Sequence, residues 1–465
     1  MTDKQHLLWQ TMTYTNLNPS KLTPKDYDFI NLMDKVINQD VLFAVKLAVY
    51  LRNIENRRSV SVLLATMIIV NDSNKTELLF DNVIKSVDDI CKLVDFYHNI
   101  TAKPYLSVIK KNINRLLNSF DEKTLLSFSY SDKSTDIVDL LKICHPKATS
   151  PQRNLLFKGI VEKTIRPDTL NKALSVNGNN KQTWQNLIDS NKLTYLQKLS
   201  NLKNMIKNDV DIESVLADLS DYQQVIKANL YPHKYYCCYK VLKENGMLNN
   251  DVKQSLEKAV EYQYQNLPTL KGNTLLAVDV SGSLTKEIGD NNLTTYGDIA
   301  RLLAVMSQKK CQDSTMLYFS AASEDVPWLK GKVDSKGYFV DEDATSSVLE
   351  KCCSEVPVYR TITDLHLPFK WAMKQQQVYD RIIYFTDWQH NSDYNSISKD
   401  IEEYRREKNK DCWIYIIDVK GDIQKLLEDE KVTVIAGWGK NTISLISAIE
   451  DGLSNLMNEI ERVTL

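Results

Sequence analysis

Glycine is nearly absent from the first 270 residues, where only 3 of the chain's 13 glycines occur. That scarcity speaks against a turn-rich all-β domain and for successive helices. Long apolar runs are missing too. The longest, Val62 to Val70, is about half the roughly 18 residues a membrane-spanning helix needs, and Thr66 interrupts it. Cysteine is present but sets out no framework: of 8 residues, four form the adjacent pairs Cys237-Cys238 and Cys352-Cys353, and no spacing suits disulfides or zinc. Reduced thiols in a cytosol-type compartment are the expectation. The start, Met1-Thr-Asp-Lys-Gln-His, lacks the basic-then-apolar pattern of a secretory leader, so a cytoplasmic location with no membrane partner is expected. No carboxylate pair, Cys-His pair or Ser-His-Asp set stands out among the 6 histidines, of which His98, His233 and His366 read as structural. A non-enzyme is expected.

What is present is an ordinary soluble composition, 43% apolar and 25% charged, spread over 465 residues, more than one core usually serves. Net charge is −2, yet unevenly placed. Residues 1–270 carry 35 Lys+Arg against 29 Asp+Glu (+6), and the remainder 23 against 31 (−8). Residues 101–200 alone hold 16 against 8, a net +8 that suits an anionic partner or, equally, a set of solvated helix faces.

From about residue 24 to 265 apolar residues recur at three- and four-residue spacing, which predicts helices. They include Asp26 to Ile37, Asp40 to Asn53, Arg58 to Val70, Glu77 to Val87, Tyr105 to Phe120, Asp136 to Cys144, Gln152 to Thr164, Leu193 to Lys207, Asp211 to Leu219 and Tyr235 to Asn245. Short breaks between them predict antiparallel neighbours in a stacked, HEAT-like array without a clean sequence repeat. At Leu275 the pattern changes. Leu275 to Asp279, Met316 to Phe319, Arg381 to Thr386, Cys412 to Asp418 and Val432 to Ile435 are short apolar runs separated by helix-like stretches, with a closing helix over Asn441 to Met457. Such alternation predicts a parallel α/β sheet covered on both faces, and the boundary falls near Leu267 to Gly272, giving domains 1–270 and 271–465.

Ligands in open α/β sheets bind where loops leave the carboxyl ends of the strands. The first predicted strand ends in Asp279-Val-Ser281-Gly-Ser283, so one carboxylate and two hydroxyls on a tight turn can aim at one point. Asp387, straight after Phe385-Thr386, and Thr363 in Thr361-Ile-Thr-Asp364 can reach the same point from other loops. An oxygen-only, weakly charged set suits Mg²⁺ or Mn²⁺ and leaves room for an acidic group from a partner. A phosphatase of the aspartyl-phosphate kind would need an Asp where Ser281 stands, and a Walker loop fails at Val434. The combination resembles the metal-ion-dependent adhesion site of von Willebrand A domains, an α/β Rossmann-like fold.

Leu275-Leu-Ala-Val-Asp-Val-Ser-Gly-Ser283, Thr363-Asp-Leu-His-Leu-Pro-Phe-Lys-Trp-Ala372 and Ile383-Tyr-Phe-Thr-Asp387 resemble the corresponding stretches of the TROVE family, the Ro autoantigen and its bacterial relatives. Asp139-Leu-Leu-Lys-Ile-Cys-His145-Pro-Lys147 and Tyr231-Pro-His-Lys-Tyr are similar to the family's helical segments. The sequence departs where the family has Gly-Gly before the Thr of the second loop. Here Thr361-Ile362 stands instead, which leaves Thr361 as an alternative ligand. The resemblance implies a monomeric ring of helical repeats closed by the A domain. It further implies a ribonucleoprotein or RNA quality-control role, with small structured (Y-like) non-coding RNA on the outer basic face and single-stranded ends of misfolded RNA in the central hole. The RNA candidates in the +8 stretch are Lys133, Lys142, His145, Lys147, Arg153 and Lys158, with the resemblance placing an RNA-contacting histidine near His145. The alternative function is a protein-interaction scaffold without RNA, whose metal site captures an acidic partner.

Overall fold

The computed structural model describes every residue except 1, 14–16, 56, 128–134, 166–169, 289–293, 321–337, 342, 344, 355–362, 388–393, 421–430 and 438–441. By packing, the chain forms two compact units, Met1–Ala173 with Ala448–Leu465, and Leu174–Ser447.

The first unit is helical. Its principal helices are α1 (Pro24–Gln39), α2 (Val41–Asn53), α3 (Arg58–Asn71), α4 (Val87–Thr101), α5 (Ser107–Ser119), α6 (Ile137–Cys144) and α7 (Pro151–Val161). α1 starts where sequence says it should: Pro24 fixes the first helical φ, and Thr23 and Asp26 exchange side-chain-to-backbone bonds across the first turn. α3 is buried from Val60 to Ile69 and packs against α1, α2 and α4, which explains a sequence apolar on all sides.

The predicted helix Glu77 to Val87 breaks. Its first half forms as Thr76–Asn82, and α4 then starts afresh at Val87. The cause is Asp89, whose backbone N–H donates to Ser86 Oγ (3.1 Å) while its carboxylate accepts from Lys85 N (3.1 Å) and Arg52 Nη2 (2.8 Å). Arg52 Nε also donates to Val83 O (3.0 Å), so one buried ion pair ties α2 to the break. Breaking such a pair from one side leaves an uncompensated buried charge.

The predicted closing helix likewise divides, into Thr442–Glu450 and α13 (Ser454–Glu461). Gly452 takes φ +73° and Leu453 φ +58°, a left-handed turn no continuous helix contains. α13 packs on α2, with Tyr50 Oη donating to Glu459 Oε2 (3.2 Å).

In the second unit, short helices from Lys181–Asp189 onward lead to α8 (Pro232–Glu244) and α9 (Asn250–Tyr264). The predicted Leu193 to Lys207 helix is two pieces meeting at Asn201. The sheet follows: β1 (Leu270–Asp279), β2 (Cys311–Phe319), β3 (Tyr338–Asp341), β4 (Arg381–Thr386), β5 (Trp413–Asp418) and β6 (Val432–Ala436), in the order β3-β2-β1-β4-β5-β6. All pairings are parallel except β2 with β3, an antiparallel edge strand outside the expectation of a purely parallel sheet. Entry into β1 needs Gly272. It has φ +78°, and a Cβ there would sit 2.2 Å from Asp380 Oδ2, the atom that accepts from Asn273 N (2.8 Å).

α10 (Tyr296–Gln308) packs on β1, β2 and β4. Leu275 and Ala277 of β1 join a core with Phe369 of α11 (Leu367–Lys374) and with Ile397 and Ile401 of α12 (Tyr394–Glu407). Leu276 and Val278, of opposite parity, are buried as well, so β1 is covered on both faces. No helix among the described residues is long and apolar enough to cross a membrane.

Replacing Arg52 with Met is expected to cost about 3 to 5 kcal/mol, because Asp89 stays buried without its counter-charge. Urea unfolding of wild type and variant at pH 7 measures it, and a loss below about 1 kcal/mol would show the pair to be dispensable.

Candidate metal centre

β1 lies at the middle of the sheet, where the strand order reverses between β1 and β4, and the crevice at the strands' carboxyl ends opens there. β1 delivers Asp279 to that point with 1% exposure. Its Oδ1 accepts from Ser281 N (2.8 Å), closing a tight turn that sets Ser281 beside the carboxylate. The two serine hydroxyls stand 3.1 Å apart. Thr363 Oγ1 donates to Asp279 Oδ2 (3.1 Å), and Thr386 Oγ1, at the end of β4, donates to the same oxygen (2.7 Å).

Asp387, next in the chain, is buried and acts on Asp279 as a like charge. Burial, with a smaller contribution from Asp387, pushes the Asp279 carboxyl up to about 6, against the pull of Thr386 and Ser281. No ion pair reaches Asp279 among the described residues, so its charge is held by dipoles alone. The structure therefore brings Asp279, Ser281 and Ser283 together with Thr363 and places Asp387 beside them. Thr361 lies outside the described residues.

A buried carboxylate without a counter-cation beside two hydroxyls is the donor chemistry a small hard cation takes. No group of three or more His, Cys, Asp or Glu residues among the described residues is placed to hold a metal ion.

Two features escaped the sequence. Lys420, two residues past β5, sets its Nζ 2.5 Å from Asp387 Oδ2. Asp298, in the first turn of α10, accepts from Thr295 N (2.9 Å), Tyr236 Oη (2.5 Å) and Lys240 Nζ (3.1 Å), which joins α10 to α8. Next to Asp298, Gly297 lies against the metal loop, where a Cβ would come within 3.4 Å of Leu284 O. Thr295 three residues before Asp298 is a legible capping box; the partners on α8 are not.

A cavity of about 720 Å³ adjoins the site, lined among others by Asp279, Ser281, Tyr236, Lys240 and Arg301. Its cations are committed: Lys240 to Asp298, Lys243 to Cys353 O (2.9 Å), and Arg301 to Cys352 O (2.9 Å) and Ser354 O (2.7 Å).

In the helical unit, Lys142, His145 and Lys147 are exposed around the C-terminal end of α6, where His145 ends the helix at φ +44°. Arg153 and Lys158 follow on α7, so five of the six basic candidates share one helix-turn-helix; Lys133 lies outside the described residues. Asn118 Nδ2 pins the turn by donating to Lys147 O (3.0 Å). Arg153 is half-buried over the Phe157 ring (5.8 Å), and its Nη1 has no hydrogen-bond partner among the described residues. Lys158 stands 3.8 Å from Glu162.

Among protein families, the Ro60 vWA domain matches residues 273–449 and the TROVE domain residues 155–241, together more than half of the chain. The chain belongs to the TROVE family. The TROVE match starts inside α7, so Lys158 lies within it and Lys142, His145, Lys147 and Arg153 precede it.

Telomerase protein component 1 of Rattus norvegicus is 33% identical over 76 residues, and its Mus musculus counterpart 32% over 76. Each of those matches spans 16% of this TROVE chain and 3% of the relative's length. The Deinococcus radiodurans RO (RSR) protein shares the fold, with a TM-score of 0.63 at 14% identity over 97% of this chain and 100% of that one.

Tyr236→Phe should destabilise the protein by about 1.5 to 3 kcal/mol, the range for a hydrogen bond to a charged group. Chemical denaturation reads it, and an unchanged midpoint would mean that Asp298 does not depend on α8.

Proposed function

We propose that this TROVE protein is a non-enzymatic RNA-binding protein of Ro type, acting in the cytoplasm in a small ribonucleoprotein or in RNA quality control. Its ligands on this reading are small structured (Y-like) RNAs and single-stranded ends of misfolded RNA. The observation that carries it is the α6–α7 turn. Lys142 and Lys147 are exposed with no ion pair among the described residues, beside His145, in the stretch of net +8. A polyanion that binds such ammoniums releases its condensed counter-ions to solvent and gains by it, whereas a neutral partner does not. His145 adds a donor or acceptor for a phosphate or base edge.

A second reading, a scaffold that captures an acidic protein partner, draws on the carboxylate-poor oxygen set at Asp279. Mg²⁺ or Mn²⁺ bound there would offer a coordination position to a partner carboxylate. Asp279, Ser281 and Ser283 would hold it, with Thr363 and Asp387 closing the set. That reading is a scaffold without RNA, so RNA binding by the full chain separates the two.

Lys142→Ala with Lys147→Ala should weaken binding of a structured RNA and lower the magnitude of the log-affinity against log-salt slope by about 0.7 to 0.9 for each lost phosphate contact. Filter binding across a salt series tests it. An unchanged affinity and slope would remove this turn as the RNA surface.

For the metal centre, Asp279→Ala is expected to abolish Mg²⁺ and Mn²⁺ binding in calorimetry. Equal heats from wild type and variant would sink the assignment.

A further inference from the structure

β4 and β5 are neighbours, with Thr386 opposite Asp418, so the chain segments leaving their carboxyl ends emerge side by side. Asp387 comes directly after the first and Lys420 two residues after the second. Asp418 Oδ1 accepts from Lys420 N (3.0 Å), which turns the backbone and aims the lysine across the crevice. Its Nζ arrives 2.5 Å from Asp387 Oδ2 and 3.4 Å from Ser283 O, with the Tyr296 ring centroid at 5.6 Å. The two side chains retain 8% and 0% exposure. An ammonium so desolvated requires a partner, and both oxygens that it meets belong to the candidate metal centre.

We propose that Lys420 is the resident cation of this centre and competes with a divalent ion for Asp387. The inference rests on the metal-centre reading of Asp279, Ser281 and Ser283. With Lys420 in place, the two carboxylates Asp279 and Asp387 carry a net charge of −1 instead of −2. An entering divalent ion meets a like charge already seated on one of its ligands, and in a dry crevice that repulsion is poorly screened. Full coordination by Asp387 requires the ammonium to swing out. The site thus holds a divalent ion weakly, and more firmly once the lysine has found another anion, such as a carboxylate of a bound partner.

Mn²⁺ titration calorimetry on the full chain at fixed pH and ionic strength tests this, comparing wild type, Lys420→Met, Lys420→Arg and Asp279→Ala. Met keeps the length of the side chain and removes its charge. It is expected to tighten Mn²⁺ binding on the order of tenfold, while Arg keeps the weak affinity of wild type. A thermal melt checks that each variant is folded, and Lys420→Gln replaces Met if Met is not. Mn²⁺ affinity of the neutral variant equal to or below wild type overturns the competition. If Asp279→Ala meanwhile loses binding, the metal centre stands and only the role of Lys420 falls. If Asp279→Ala binds as wild type does, or neither wild type nor the neutral variant binds Mn²⁺, both ideas fall.

Discussion

Taking the Asp279 carboxylate out of water is the constraint on which the second unit's arrangement turns. A carboxyl that burial pushes up to about 6 is costly unless neighbouring groups stabilise its charge. Donors from three segments do so together, namely Ser281 N from the turn after β1, Thr363 from the loop before α11, and Thr386 from the end of β4. None of these groups carries charge, so the site remains short of one positive charge at Asp279. That shortage links the fold to its chemistry, because a small cation bound there would relieve it, and the cation already in the centre, Lys420, is paired with Asp387 instead.

The same crevice is fixed from below by a second carboxylate. Asp298 is saturated by Thr295, Tyr236 and Lys240, so the start of α10 is anchored to α8 by bonds to a charged acceptor, which are stronger than bonds between neutral groups. Gly297, beside Asp298, lies against Leu284 of the metal loop. Cys237 adds a contact to Thr294 (2.5 Å) just before the same helix start.

How much of this could be read beforehand follows from what each element depends on. β1, β4 and β5 are covered on both faces, so their sequences are continuous apolar runs, and Arg381 to Thr386 was legible to the residue. β3 is four residues at an edge, Tyr338–Asp341, half exposed and with an apolar run of only three, too short to announce a strand; its antiparallel pairing with β2 makes it one. The break before α4 was hidden because Ser86 and Asp89 act with Arg52, 37 residues away from Asp89. Asp279, Ser281 and Ser283 were legible because one tight turn brings them together. Lys420 was not, since a lone lysine after Asp418-Val419 means nothing until β4 and β5 are known to be neighbours. Lys142, His145 and Lys147 were legible as a basic helix end, whereas Arg153, read as a surface charge, is half-buried over Phe157.

The crevice beside β1 and the α6–α7 turn spend their basic side chains differently, and this bears on where a polyanion would bind. In the second unit Lys240, Lys243, Arg301 and Lys351 are each bonded to carbonyls, amides or carboxylates, and Lys420 is bonded to Asp387. Recruiting any of them for phosphate would first break a bond that holds two elements together. At the α6–α7 turn the opposite holds. Lys142 and Lys147 project into solvent, while the backbone beneath them is fixed by Asn118 and by the left-handed His145. A phosphate contact there gains from counter-ion release and costs only side-chain ordering. The net −8 of residues 271–465 would in addition repel a nucleic acid from the sheet, whereas the net +8 of residues 101–200 would attract one to the stretch that holds this turn.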